Sequence, residues 1–197
     1  MTLPPPSDNG SRFDLILLHD VLEHISRKAA FLEHVRRFLH PKGRIFAGFP
    51  AWQMPFGGHQ QICRHALCAH LPFIHLLPAR LYNALLKTCG ESAAMRRELL
   101  DIKRCGLSIE TFEALLPQTG LQSFRRTLWL VNPHYQQKFG LRPRRMPRWA
   151  GRLKYLRNYA STSCWYLLGH TVGKETEEQH PCGKKKQEGR KKFFPAL

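Results

Sequence analysis

Phe13-Asp-Leu-Ile-Leu-Leu-His-Asp-Val-Leu-Glu-His-Ile25, taken with Leu39-His-Pro-Lys-Gly-Arg-Ile-Phe-Ala-Gly-Phe-Pro50, decides the fold. Phe13 to Leu18 is a short, nearly unbroken apolar run, the pattern of a strand buried on both faces by helices. It ends at His19-Asp20. From Val21 the period changes: Leu22, Ile25, Ala29, Leu32, Val35 and Leu39 recur at helical spacing, with Arg27, Lys28, Glu33, Arg36 and Arg37 between them, which predicts an amphipathic helix. Pro41, Lys42 and Gly43 break it, and Arg44 to Phe49 resumes an apolar run closed by Pro50. The expectation is one β-α-β unit. Ligands of open parallel sheets sit beyond the carboxyl ends of the strands, so His19, Asp20 and residues 50–60 should share one mouth.

These residues resemble class I S-adenosylmethionine-dependent methyltransferases, whose fourth and fifth strands read F-D-x-I-x-x-x-x-x-L-E-H, then a helix, then L-x-P-G-G. The matching residues are Phe13-Asp14-Leu15-Ile16, Leu22-Glu23-His24 and Leu39-His40-Pro41-Lys42-Gly43, with Lys42 in place of the usual glycine. Farther along, Leu107-Ser-Ile-Glu-Thr-Phe-Glu-Ala-Leu-Leu-Pro-Gln-Thr-Gly120 resembles the helix before the sixth strand, with Ser108 as N-cap and Gly120 as the stop. Residues 121–133 would be that strand and residues 159–169 the seventh.

The resemblance implies an α/β fold: a partial Rossmann-like methyltransferase sheet of strands four to seven over residues 13–172. Strands one to three are not found, and neither is the glycine loop that cradles the cofactor, nor the acidic residue that holds its ribose. Residues 1–12, with Pro4, Pro5, Pro6 and Asn9-Gly10, read as an N-terminal loop. The expectation is an N-terminally truncated methyltransferase domain, inactive alone unless another chain completes the sheet. A helical insert is expected after strand five, over about residues 60–100. Leu71 to Leu86 is its most apolar part, interrupted by Pro72, Pro78, Arg80 and Asn83.

Site residues follow from both readings. The resemblance places His19, Asp20 and Val21 against S-adenosyl-L-methionine. His19 is also the candidate catalytic base, because methyl transfer to oxygen depends on alignment and on removing the acceptor's proton, and imidazole has the right pKa range. The alternative is a loop histidine bonded to backbone. Asp20, Glu23 and His24 fall at helical spacing along one face, and two carboxylates with an imidazole suit Mg2+. Ubiquinone-biosynthesis O-methyltransferases, which this stretch resembles, carry acidic, acidic and histidine metal ligands at matching places. The alternative is carboxylates complementing a helix N-terminus, with His24 packed beneath.

Pro50-Ala-Trp-Gln-Met-Pro-Phe-Gly-Gly-His-Gln-Gln61 mixes aromatics, glycines and amides as an acceptor pocket would, with Trp52, His59 and Gln60 as substrate contacts. Histidine and cysteine crowd at His59, Cys63, His65, Cys68 and His70. Zinc is a candidate there, but the tight Cys-x-x-Cys turn is lacking, and the residues read as packing or surface groups.

At 197 residues the chain suits one domain. A net charge of +17 favours anionic partners, nucleic acid or an anionic membrane surface. Much of it is diffuse, but basic residues concentrate between Arg142 and Arg157 and in a basic tail at 173–197, whose composition predicts disorder and, as the simplest reading, only a solvated end. A noncatalytic module associating with RNA, anionic lipid or a partner chain is therefore the second reading. Six cysteines without a paired framework or a secretory leader point to a reduced, cytoplasmic protein. No apolar stretch reaches the roughly 20 residues that span a bilayer.

Overall fold

The computed structural model describes residues 12–171. The basic tail, and all but the last residue of the N-terminal loop, lie outside the described residues. The fold is α/β. Five strands, β1 (Phe13–His19), β2 (Leu39–Phe49), β3 (Leu121–Val131), β4 (Arg144–Arg145) and β5 (Ser163–His170), form one sheet in the order β1-β2-β5-β3-β4. β1 and β2 are parallel, whereas β5 is antiparallel to both β2 and β3. The carboxyl ends of β1, β2 and β3 therefore lie along one edge.

Between β1 and β2 the chain departs from the single helix that its periodicity suggests. A 3-10 turn occupies Leu22–His24, and α1 begins only at Lys28, running to Arg37. The break has both a local and a long-range cause. Asp20 takes a left-handed conformation (φ 52°), Ile25 is extended, and the Lys28 ammonium donates to the Ile25 carbonyl oxygen at 2.7 Å and to that of Cys105 at 2.5 Å. Asp20, Glu23 and His24 consequently stand on a turn and not on a helix face. Pro41, Lys42 and Gly43 do not leave the strand: they form an irregular stretch of β2, where the pairing passes from Phe13↔Leu39 to Leu15↔Arg44.

One sheet face carries the main core. Leu18, Ile45, Ala47, Phe49 and Leu168 pack against Leu32 of α1 and against Phe112 and Leu116 of α5 (Ile109–Gln118). Phe112 lies 4.8 Å from both Phe49 and Tyr166 by ring centroid. On the opposite face Phe46, Trp165 and Trp129 run across the sheet in edge contacts. There β1 is an edge strand, and its apolar run is not buried on both faces: Phe13, Leu15 and Leu17 are more than half exposed. The unbroken apolar pattern reports a strand built to be covered, without reporting which elements do so.

After β2 come a 3-10 turn (Gln60–Ile62), α2 (Ala66–His70), α3 (Ala79–Thr88) and α4 (Ala93–Cys105). They enclose a second, smaller core of Cys63, Cys68, Ala69, Ile74, Tyr82, Leu86 and Leu99. The Ser92 hydroxyl caps α4 by accepting from Met95 N–H. Two short helices, α6 (His134–Phe139) and α7 (Leu156–Ala160), complete the fold. Among the described residues no helix is long and apolar enough to cross a membrane.

Arg157, one of the basic cluster, is not a surface charge. Its guanidinium is buried and donates to Glu110 at 3.0 Å and Glu113 at 2.7 Å, both on α5. Glu113 also accepts from Arg126 and from the Tyr166 hydroxyl, and Glu110 from Tyr155 N–H and the Asn158 amide. Burial alone would raise both carboxyls. Hydrogen bonds and the Arg157 charge outweigh it and hold both below the ordinary range.

Groups depressed in this way stabilise the fold above their unfolded value of about 4.3, and the contribution disappears as pH falls through the native values. Urea midpoints measured from pH 7 to pH 3 should fall more steeply for the wild type than for Glu113→Gln. Arg157→Met should cost about 3–5 kcal/mol at pH 7, because two carboxylates lose their buried counter-charge.

Candidate functional site

The mouth forms where β1 and β2 end together. His19 pairs with Gly48 in register, and Asp20 N–H donates to the Gly48 carbonyl at 2.9 Å, carrying the chain round the strand end. His19 Nδ1 lies 3.0 Å from Asp20 Oδ2, and both side chains are about half exposed. The imidazole stacks on Phe46, at 9° between planes. Glycine at position 48 leaves room for it, since a Cβ there would stand 3.1 Å from the ring.

Glu23 sits below, 5% exposed, with both carboxylate oxygens lacking a partner among the described residues. Burial pushes its pKa up to about 7, and the Asp20 charge adds to the rise. The His24 and His59 rings are 5.1 Å apart. Burial, followed by the neighbouring His24, lowers the pKa of His59, whose backbone is left-handed at φ 56°. Glu23, His24 and His59 each offer a ligand atom within 4.8 Å of the other two, a set that could hold a cation. Asp20 is outside that set. A cleft of about 610 Å³ opens beside it, walled by His24, His59 and Ile62 on one side and Arg97, Glu98 and Asp101 of α4 on the other.

Of the three residues read as substrate contacts, His59 lines this cleft. Trp52 is bound into the loop: its N–H donates to the Leu107 carbonyl and its carbonyl accepts from His75 Nε2 at 2.8 Å. Its ring meets His75 edge-on, and a Cβ at Gly106 would lie 2.5 Å from it. Gln60 is fully buried and donates to the Pro55 carbonyl, leaving its own side-chain oxygen without a partner among the described residues. Burial drives the pKa of His75 down to about 4, so it is a neutral donor. Val21 is half-buried, next to Asp20.

Two contributors were not visible in the sequence. Tyr135, on α6 just past the end of β3, has its phenol pKa raised by burial and, to a lesser degree, by the Asp20 charge. The charged residues of α4 were not singled out in the sequence, and only the packing of α4 beside Leu22–His24 makes them a wall.

Residues 2–47 match the family model described as Methyltransferase domain. This stretch is methyltransferase-like. It contains β1, α1 and most of β2, the elements that make the mouth. A search of curated proteins finds no match. Among solved structures, PKMT2 from Rickettsia typhi in complex with AdoHcy is similar, with 15% identity, 81% of this chain covered and a TM-score of 0.38. The match covers 36% of that chain, so the present chain spans little more than a third of its length.

The raised Glu23 carboxyl has a sign that can be measured. Below its unfolded value both states carry the proton and nothing is lost; as pH rises toward 7 the unfolded chain ionises first and the fold is penalised. With chelator in all samples, Glu23→Gln should raise the melting temperature at pH 8 and leave it nearly unchanged at pH 4.

Proposed function

We propose that the chain is the carboxyl-terminal portion of a class I S-adenosyl-L-methionine-dependent methyltransferase of the ubiquinone-biosynthesis O-methyltransferase-like type, acting on a small-molecule acceptor. The observation that carries this reading is the shared mouth. A family-matched strand-helix-strand unit ends with Asp20 N–H bonded to Gly48, and residues 50–60 lead on from the second strand toward the same opening.

His19, Asp20 and Val21 would hold the cofactor, and the half-exposed Asp20 carboxylate is chemically suited to a neighbouring sulfonium. When bound, S-adenosyl-L-methionine supplies an electrophilic methyl group. His19 Nδ1 lies 3.0 Å from Asp20 Oδ2, so the carboxylate would orient the imidazole with Nε2 toward the acceptor's proton. His59 and the α4 wall bound the acceptor's cleft.

A divalent cation belongs at Glu23, His24 and His59, where the unpartnered carboxylate oxygens need one. One carboxylate and two imidazoles suit a borderline ion such as Zn2+ or Mn2+ better than the Mg2+ expected from two carboxylates. The exposed edge of β1 is where further strands would add. We assign the remaining cofactor contacts to a polypeptide that pairs there, and read the chain without it as inactive.

Calorimetric titration of S-adenosyl-L-methionine should show no tight site in this chain alone, and one site when an amino-terminal segment carrying the glycine loop is joined to it. In that longer protein His19→Ala should lower kcat by about 10²–10⁴-fold with cofactor affinity retained. Tight binding to the short chain would overturn the strand assignment.

A cleft of about 410 Å³ lined by Arg125, Arg126, Arg145, Arg148 and Arg152 favours the second reading, a basic module that binds RNA. On that reading single-stranded RNA should bind with steep salt dependence, and Arg148→Glu with Arg152→Glu should abolish it. Salt-insensitive or absent binding counts against this alternative.

A further inference from the structure

The helical insert brings together residues that sequence spacing leaves apart. His65 is the N-cap residue of α2, Cys68 lies within α2, and Cys89 is the C-cap residue of α3. Their ligand atoms all lie within 4.8 Å of one another. A fourth candidate, Cys63, follows the 3-10 turn at Gln60–Ile62 and packs in the same small core as Cys68. The Glu91 carboxylate accepts from the His65 N–H at 3.0 Å, holding the start of α2 against the loop after α3, and its other oxygen is buried without a partner among the described residues.

We propose that the insert binds one structural Zn2+ through His65, Cys68 and Cys89, with Cys63 as fourth ligand. Soft sulfur donors with an imidazole select zinc over magnesium or calcium. His65 is exposed and Cys68 buried, so the site has an entry path and a dry interior. On binding, each thiol loses its proton to solvent and a Zn–S bond forms, with no change of oxidation state. The three cysteines are free thiols here, as this requires. The physical need is plain: α2 has five residues, and a core this small gains most of its rigidity from a staple. The proposal is independent of the methyltransferase reading and of the cation set at Glu23.

The experiment uses the full chain, without a histidine tag, purified under reducing conditions. Elemental analysis should find zinc, and replacement by Co2+ should produce sulfur-to-cobalt charge-transfer absorption with the intense visible bands of a tetrahedral site. The double variant Cys68→Ser with Cys89→Ser should remove most of the charge-transfer band, leaving at most the single Cys63 thiolate, and Cys63→Ser alone should weaken it by about a third, as three thiolates become two. Cys182→Ser and Glu23→Gln should leave it unchanged, the latter separating this site from the cation set without sulfur.

The wild-type band intensity counts thiolates without relying on any variant folding. Absence of the band, an undiminished band in the double variant Cys68→Ser with Cys89→Ser, an unaltered band in Cys63→Ser, or a Cys68–Cys89 disulfide in the purified protein would overturn the assignment.

Discussion

The parallel register of β1 with β2 is the constraint on which everything else rests. His19 opposite Gly48 brings two loop origins to one point, and the Asp20 amide closes the corner by bonding the Gly48 carbonyl. Parallel neighbours cannot be joined by a tight hairpin, so the crossover through α1 must pack on one face, and Leu32 does so against Ile45 and Phe49. A slip of one residue would turn that core face to the opposite side of the sheet. The left-handed Asp20 is the local cost of the turn, and its reward is a carboxylate placed against the His19 imidazole.

A second constraint works at distance. Burying Arg157 is unfavourable unless its donors are matched, and Glu110 and Glu113, one turn apart on the same face of α5, match them. Because Tyr166 of β5 and Arg126 of β3 also bond Glu113, one carboxylate ties a helix to two strands. Charge here is an internal fastening, and a residue that composition would count toward anionic partners is withdrawn from them.

Legibility in the sequence followed the range of the interactions. The apolar runs of β1 and β2, the Ser108 cap and the Gly120 stop are local, and they read correctly because local sterics and periodicity decide them. The start of α1 did not, since hydrophobic period is blind to the Lys28 ammonium reaching the Cys105 carbonyl from far along the chain. That β1 ends at His19-Asp20 was legible from the close of the apolar run. The joining of His59 with Glu23 and His24 was not, because a loop must fold back to make it. Likewise the spacing does not announce that Trp52 is held through its backbone carbonyl by His75, or that the Gln60 side-chain amide donates to Pro55. Cys89 reaches Cys68 only through the packing of α3 on α2.

The position of β5 has an implication for biosynthesis. It follows the other four strands in the chain, yet it lies at the centre of the sheet, where β2 and β3 meet only through it. Until the ribosome has delivered residues 163–170, the nascent chain holds two separate sheet fragments whose inner edges are bare. Closure is therefore a late, long-range event, slow by topology, and until it happens the inner edges of β2 and β3 are the kind of unpaired strand edge that favours aggregation.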